Sequence, residues 1–182
     1  AGRFAKSTLI GYGLAGFHLG YVVLFYLIGN RFGVWSPAEL QDYSETFSTM
    51  FPWIYPLVIG LIASTNEEFF FRLVAISLLM RWTGIKWLSV LIPAIVWAFL
   101  HANYPQEPIY IRGIELTVVG CLFGAVFLRW GIWTVVTSHY AFNAFLGAYP
   151  MMNSSSSYFQ ISGIAVVGLL TLPLLVSLYG WA

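Results

Sequence analysis

Six long apolar runs separated by short turns fill most of this 182-residue chain. They lie near 8–29, 52–82, 87–102, 109–130, 132–149 and 159–179. A helix needs about 20 residues to cross the hydrocarbon of a bilayer, and most of these runs reach that length. Inside hydrocarbon each backbone polar group must find a partner within the protein, so such runs are helices. Charge agrees: 8% of residues are charged, against roughly 25% in a soluble domain. The expected fold is all-α: a polytopic transmembrane helical bundle of about six spans around a buried polar cavity. Residues 1–182 then form a single integral membrane domain. The third and fifth runs are short for full spans.

The punctuation fits six helices. Trp82-Thr83-Gly84 and Trp130-Gly131 read as tight turns, and the Tyr104-Pro105 and Glu107-Pro108 steps stop a helix. Residues 30–50 form a polar loop holding Glu39, Asp42 and Glu45. With six alternating helices, Arg3, Lys6, Arg81, Lys86 and Arg129 share one side, against Arg31 and Arg112 on the other. Basic residues favour the cytoplasm, so both termini are expected there. The net charge of +1 leaves no basic face for nucleic acid. Cys121 is the one cysteine, which rules out an intramolecular disulfide; a buried, inert thiol is expected. No cleavable signal peptide stands out, and the opening on Ala1 suggests that a preceding segment was removed.

Polar residues inside the runs carry the functional signal. Glu67 and Glu68 stand together in ASTNEEFFFRLVAIS, with Arg72 one turn further on. Charges within spans are costly; they face a protein interior or water and mark function. At 1.5 Å per residue, Glu67 lies ~21 Å from the basic end of its run, and His101 lies ~21 Å from the corresponding end of its own. His139 and Asn143, on a third run, lie ~12 and ~18 Å deep. The six side chains thus share a slab about 10 Å thick, as residues around one cavity would. Glu68 and Arg72 are i and i+4, so they face each other, while Glu67 points about 100° away. Arg72 is therefore expected to hold Glu68 ionised and structural and to leave Glu67 to the cavity. His139 and Asn143, also i and i+4, face one way.

This set suits hydrolysis of an amide by activated water. Glu67 with a neutral His101 can hold and deprotonate the water. His139 and Asn143 can donate hydrogen bonds to a developing oxyanion. Two histidines and a glutamate also make a catalytic zinc set, so Glu67, His101 and His139 would be the ligands if a divalent metal takes part. The residues leave both the metal and the metal-free chemistry open. Elsewhere the reading is structural. His18 packs, and Gly120 with Gly124 lets helices approach closely. Glu107, Arg112 and Glu115 sit solvated or snorkelling at the outer interface.

At these positions the chain resembles the CPBP intramembrane proteases, also called the ABI family or type II CAAX prenyl endopeptidases. Their EExxxR motif is matched by Glu67, Glu68 and Arg72, and HxxxN by His139 and Asn143. In FxxxH the histidine is His101, while Trp97 stands where phenylalanine is usual. The resemblance covers about 64–146, within a catalytic core of about 52–149. It implies an intramembrane endopeptidase in which Glu67 and His101 activate water, Glu68 and Arg72 support them, and His139 with Asn143 stabilises the oxyanion. The implied partner, besides the lipid bilayer, is a membrane-bound or lipid-modified peptide or protein, with the prenylated CAAX type among the options. The family has been described both as metal-dependent and as glutamate-dependent. Three rival readings use the same residues: a non-catalytic relative that binds a peptide, such as a bacteriocin-immunity protein; a transporter with a buried proton path; and a haem protein with His101 and His139 as axial ligands.

Overall fold

The computed structural model describes residues 2–36 and 46–181. The loop acids Glu39, Asp42 and Glu45 lie outside the described residues. Among the described residues there are six helical rods and no strand. We label them α1 (Gly2–Asn30), α2 (54–83), α3 (Lys86–Phe99), α4 (Ile111–Trp130), α5 (Ile132–Met152) and α6 (Ser157–Trp181). The rod α2 has three parts: an α-helix Ile54–Glu67, a π-helical stretch Glu68–Ile76 and an α-helix Ser77–Thr83. Gly2–Asn30, Ile111–Trp130 and Ser157–Gly180 are each long and apolar enough to cross a membrane, and Lys86–Phe99 is a shorter apolar helix. The chain is an all-α integral membrane protein.

The expected turns are present. Gly84, at φ 68°, and Gly131, at φ 87°, close α2 and α4 in backbone conformations that a side chain would strain. Three boundaries differ from expectation by three residues or more; the first is the start of α1, at Gly2 and not near residue 8. The helix α3 ends at Phe99, so His101 sits in the turn beyond it, its N–H bonded to Ala98 O at 3.0 Å. The helix α5 runs through Pro150 to Met152, because a proline near a helix end costs only the bonds of one turn.

The chain divides into two compact units. One comprises Ala1–Gly16, Glu39–Asn66 and Val136–Ala182. Its core is Ala144, Ala148, Met151, Val166 and Leu170. Small residues set the spacing there: a Cβ on Gly147 would meet Pro56 Cβ at 2.6 Å, and one on Gly163 would meet Met152 Cγ at 2.8 Å. Tyr12 donates to the Leu170 carbonyl and Tyr158 to that of Met50.

The other unit comprises Phe17–Ala38 and Glu67–Val135. Here α3 and α4 pack antiparallel. Cβ atoms added at Gly113, Gly120 and Gly124 would fall 2.9 Å from the Phe99 ring, 2.9 Å from Ala94 Cβ and 2.6 Å from Val90 Cγ1. Glycine is what allows this approach. His18 packs edge-on against Phe123, ring centroids 5.7 Å apart. Trp35 and Glu107 form an isolated antiparallel bridge through two backbone bonds of 2.8 and 2.9 Å.

Candidate active site

The two adjacent glutamates occupy different environments. Glu68 opens the π-helical stretch and is fully buried with Arg72, whose Nε lies 3.1 Å from Glu68 Oε2. The arginine is further covered by aromatic faces, its Cζ 4.2 Å from the Trp97 ring centroid and 5.6 Å from that of Phe123. Such cation–π contacts strengthen where water is excluded. Glu67, the last residue before the π-stretch, keeps 27% of its side chain accessible. Arg72 thus pairs with Glu68, one turn away, and Glu67 is the more accessible of the two carboxylates. The π-stretch is new. Its i→i+5 bonding widens the helix at the point where the charges sit, and single π-turns recur at functional sites.

Glu67 faces α3. The Trp97 indole Nε1–H donates to Glu67 Oε2 at 2.5 Å, and His101 Nε2 lies 3.8 Å from the same oxygen. His101 Nδ1 lies 2.8 Å from the Trp97 carbonyl oxygen. A carbonyl only accepts, so Nδ1 carries the proton and a neutral ring presents Nε2 as a lone pair. With Nε2 unprotonated, it and Glu67 Oε2 are two acceptors 3.8 Å apart, which a water can bridge by donating to each.

A second buried charge cluster stands behind the histidine. Tyr104 stacks on His101, centroids 6.0 Å apart, and Arg112 Cζ lies 5.5 Å from the Tyr104 ring. Arg112 Nη1 donates to Glu115 Oε2 at 2.6 Å, and Tyr26 Oη donates to the same oxygen at 3.1 Å. Tyr21 Oη donates to the Glu115 carbonyl at 3.1 Å. This corrects the expectation that Glu115 sits solvated or snorkelling at the outer interface, since it is 0% exposed, while Arg112 stays partly exposed. The physical reason is partnership: a buried carboxylate is sustained by a paired cation and a hydroxyl donor. The i, i+3 spacing of Arg112 and Glu115 was a readable sign, but nothing in the sequence says that tyrosines of α1 complete the site.

His139 and Asn143 stand one turn apart on α5, in the first unit, with His139 buried and Asn143 partly so. Of the expected site residues, Glu67, Glu68, Arg72 and His101 thus come together in one unit, and His139 and Asn143 belong to the other. Among the described residues no group of three His, Cys, Asp or Glu is placed to hold a metal ion. Within their own unit, Glu67 and His101 supply two of the three protein ligands that a catalytic zinc takes. Along α3 and α4 runs an apolar groove of about 530 Å³, lined by Lys86, Trp87, Val90, Leu91, Cys121, Ala125 and Leu128. Cys121, expected to be buried, is partly exposed in that groove.

These features define a class. Residues 49–145 match the type II CAAX prenyl endopeptidase Rce1-like family, and the chain belongs to that family. The matched stretch includes all six expected site residues. Among curated proteins, the chain is similar to the sporulation-killing factor biosynthesis protein SkfC of Bacillus subtilis (strain 168), 26% identical over 129 residues. That match covers 71% of this chain and 26% of SkfC, so the chain spans about a quarter of that relative's length. No solved structure matches.

Proposed function

We propose that this protein is an intramembrane endopeptidase that cleaves a peptide bond in a membrane-bound or lipid-modified substrate. The observation that carries the reading is the Glu67–His101 pair: two acceptors 3.8 Å apart, the histidine tautomer set by a backbone carbonyl. A water between them donates one hydrogen to Glu67 and the other to Nε2. Glu67 takes the proton as the water oxygen attacks the scissile carbonyl. The carbonyl oxygen becomes an oxyanion, for which His139 and Asn143 are the proposed donors, as the family's motifs imply. Collapse of this intermediate breaks the C–N bond, and the proton held by Glu67 passes to the leaving amine. Glu68 and Arg72 support the site by keeping a second charge pair neutralised behind it.

The apolar groove along α3 and α4 supports a substrate with a hydrocarbon tail, which could lie there in contact with lipid. The name of the relative, a biosynthesis protein for a killing factor, favours a peptide matured at the membrane over a housekeeping target. The test compares new peptide termini, by mass spectrometry, in membranes of cells expressing the wild type or Glu67→Gln at matched levels. Termini that depend on Glu67 are expected, and the residues flanking them name the substrate class. Identical termini from two folded proteins would sink the proposal and favour a peptide-binding relative without catalysis.

A further inference from the structure

Two carboxylates and one guanidinium share a single stretch of α2; the i, i+4 spacing gives the cation to Glu68, and Glu67 is left for another group to hold. We propose that Trp97 holds it, as a positioning residue for both Glu67 and His101. The inference rests on the reading of Glu67 as the water-activating base. Trp97 is 3% exposed and meets three members of the site at once. The face of its ring covers Arg72 at 4.2 Å, on the cation that pairs with Glu68 at 3.1 Å. The edge of the ring gives its N–H to Glu67 Oε2 at 2.5 Å. Its backbone carbonyl takes the His101 Nδ1 proton at 2.8 Å.

The consequence follows from what each donor does to a carboxylate. A guanidinium would occupy both oxygens in a fork and compensate the charge. An indole N–H fills one lone-pair direction of one oxygen and leaves the charge uncompensated. Glu67 is thus aimed but still free to accept from water, while Arg72 stays between Glu68 and an aromatic face. The indole cannot swing aside, because α4 packs against it: a Cβ on Gly120 would lie 3.2 Å from Trp97 Cε3. Phenylalanine at position 97 would keep an aromatic ring and the backbone carbonyl, remove the N–H donor and fill the buried slot with a smaller ring.

The experiment has two readouts. Fluorotryptophan is incorporated at the eight tryptophans, and the Trp97 resonance is identified as the one missing from Trp97→Phe. In Glu67→Gln that resonance is expected to move while most of the others stay in place. With a peptide spanning a cleavage site found from the termini comparison, Trp97→Phe is expected to lower kcat about tenfold per folded molecule and to leave KM within about twofold, since the lost bond acts on the base and not on substrate binding. A purely structural role would reduce the yield of folded protein and spare kcat. A resonance unmoved by Glu67→Gln, or wild-type turnover by Trp97→Phe, overturns the inference. If the resonance moves but the wild type shows no Glu67-dependent cleavage, the protease reading fails and the Trp97–Glu67 bond stands.

Discussion

Glu68 and Arg72 show how a charge survives in an apolar helix. Each is buried, and each is tolerable only because the other is there. Breaking one side of a buried pair leaves an uncompensated charge and costs about 3–5 kcal/mol. Arg72→Ala is therefore expected to lower the unfolding midpoint in detergent sharply. The double variant Glu68→Leu, Arg72→Met should recover most of the loss, because a well-packed apolar pair of similar volume is often neutral. Glu67 and His101 make the opposite case. With side chains 27% and 22% accessible, they stay in reach of water, and neither neutralises a fully buried charge. Glu67→Gln and His101→Ala should keep a near wild-type unfolding midpoint and lose the wild-type-specific peptide termini. The charges of the site were legible in the sequence because hydrophobic surroundings make a glutamate or histidine conspicuous. The role of Trp97 was not, since an aromatic in an apolar run reads as packing until its N–H is seen to reach a carboxylate.

At the scale of elements, the decisive contact is α3 against α4. Spacing of Gly120 and Gly124 pointed to close helix packing, and both glycines lie where a side chain would collide with the facing helix. Gly124→Val, which sets a Cβ 2.6 Å from Val90 Cγ1, is expected to overpack the contact by about 1–3 kcal/mol. Gly13→Ala is the control: nothing lies within 4 Å of the added Cβ, and alanine is the better helix former by up to about 1 kcal/mol. Thermal unfolding of both variants in one detergent checks the pair. The π-stretch of α2 escaped the sequence, because a simple 3.6-residue reading places Glu68 and Arg72 on one face whether or not the helix widens. So did the end of α3, where Leu100 carries the apolar run on from the last helical residue, Phe99, to His101.

At the scale of the molecule, six rods place both termini on the same side if each crosses the bilayer. The excess of Arg3, Lys6, Arg81, Lys86 and Arg129 favours the cytoplasm for that side. Fusions of a fluorescent protein, which matures in the cytoplasm, to either end should both fluoresce; fusions of a periplasmic phosphatase at the same points should be inactive. An active phosphatase at one end would overturn the even number of crossings.

Composition and periodicity by themselves determined that this chain is helical, belongs in a membrane and carries ionisable residues inside its apolar runs. These follow from local physics: the length of a run, the cost of an unpaired backbone group and the cost of a lone charge. Tertiary structure decided which groups answer which charges. Glu115 is buried because Arg112 and Tyr26 reach it. Glu67 is oriented because the Trp97 indole reaches it. Tyr26 and Glu115, like Trp97 and Glu67, are far apart in the chain, and no local pattern of residues encodes which distant side chain will arrive.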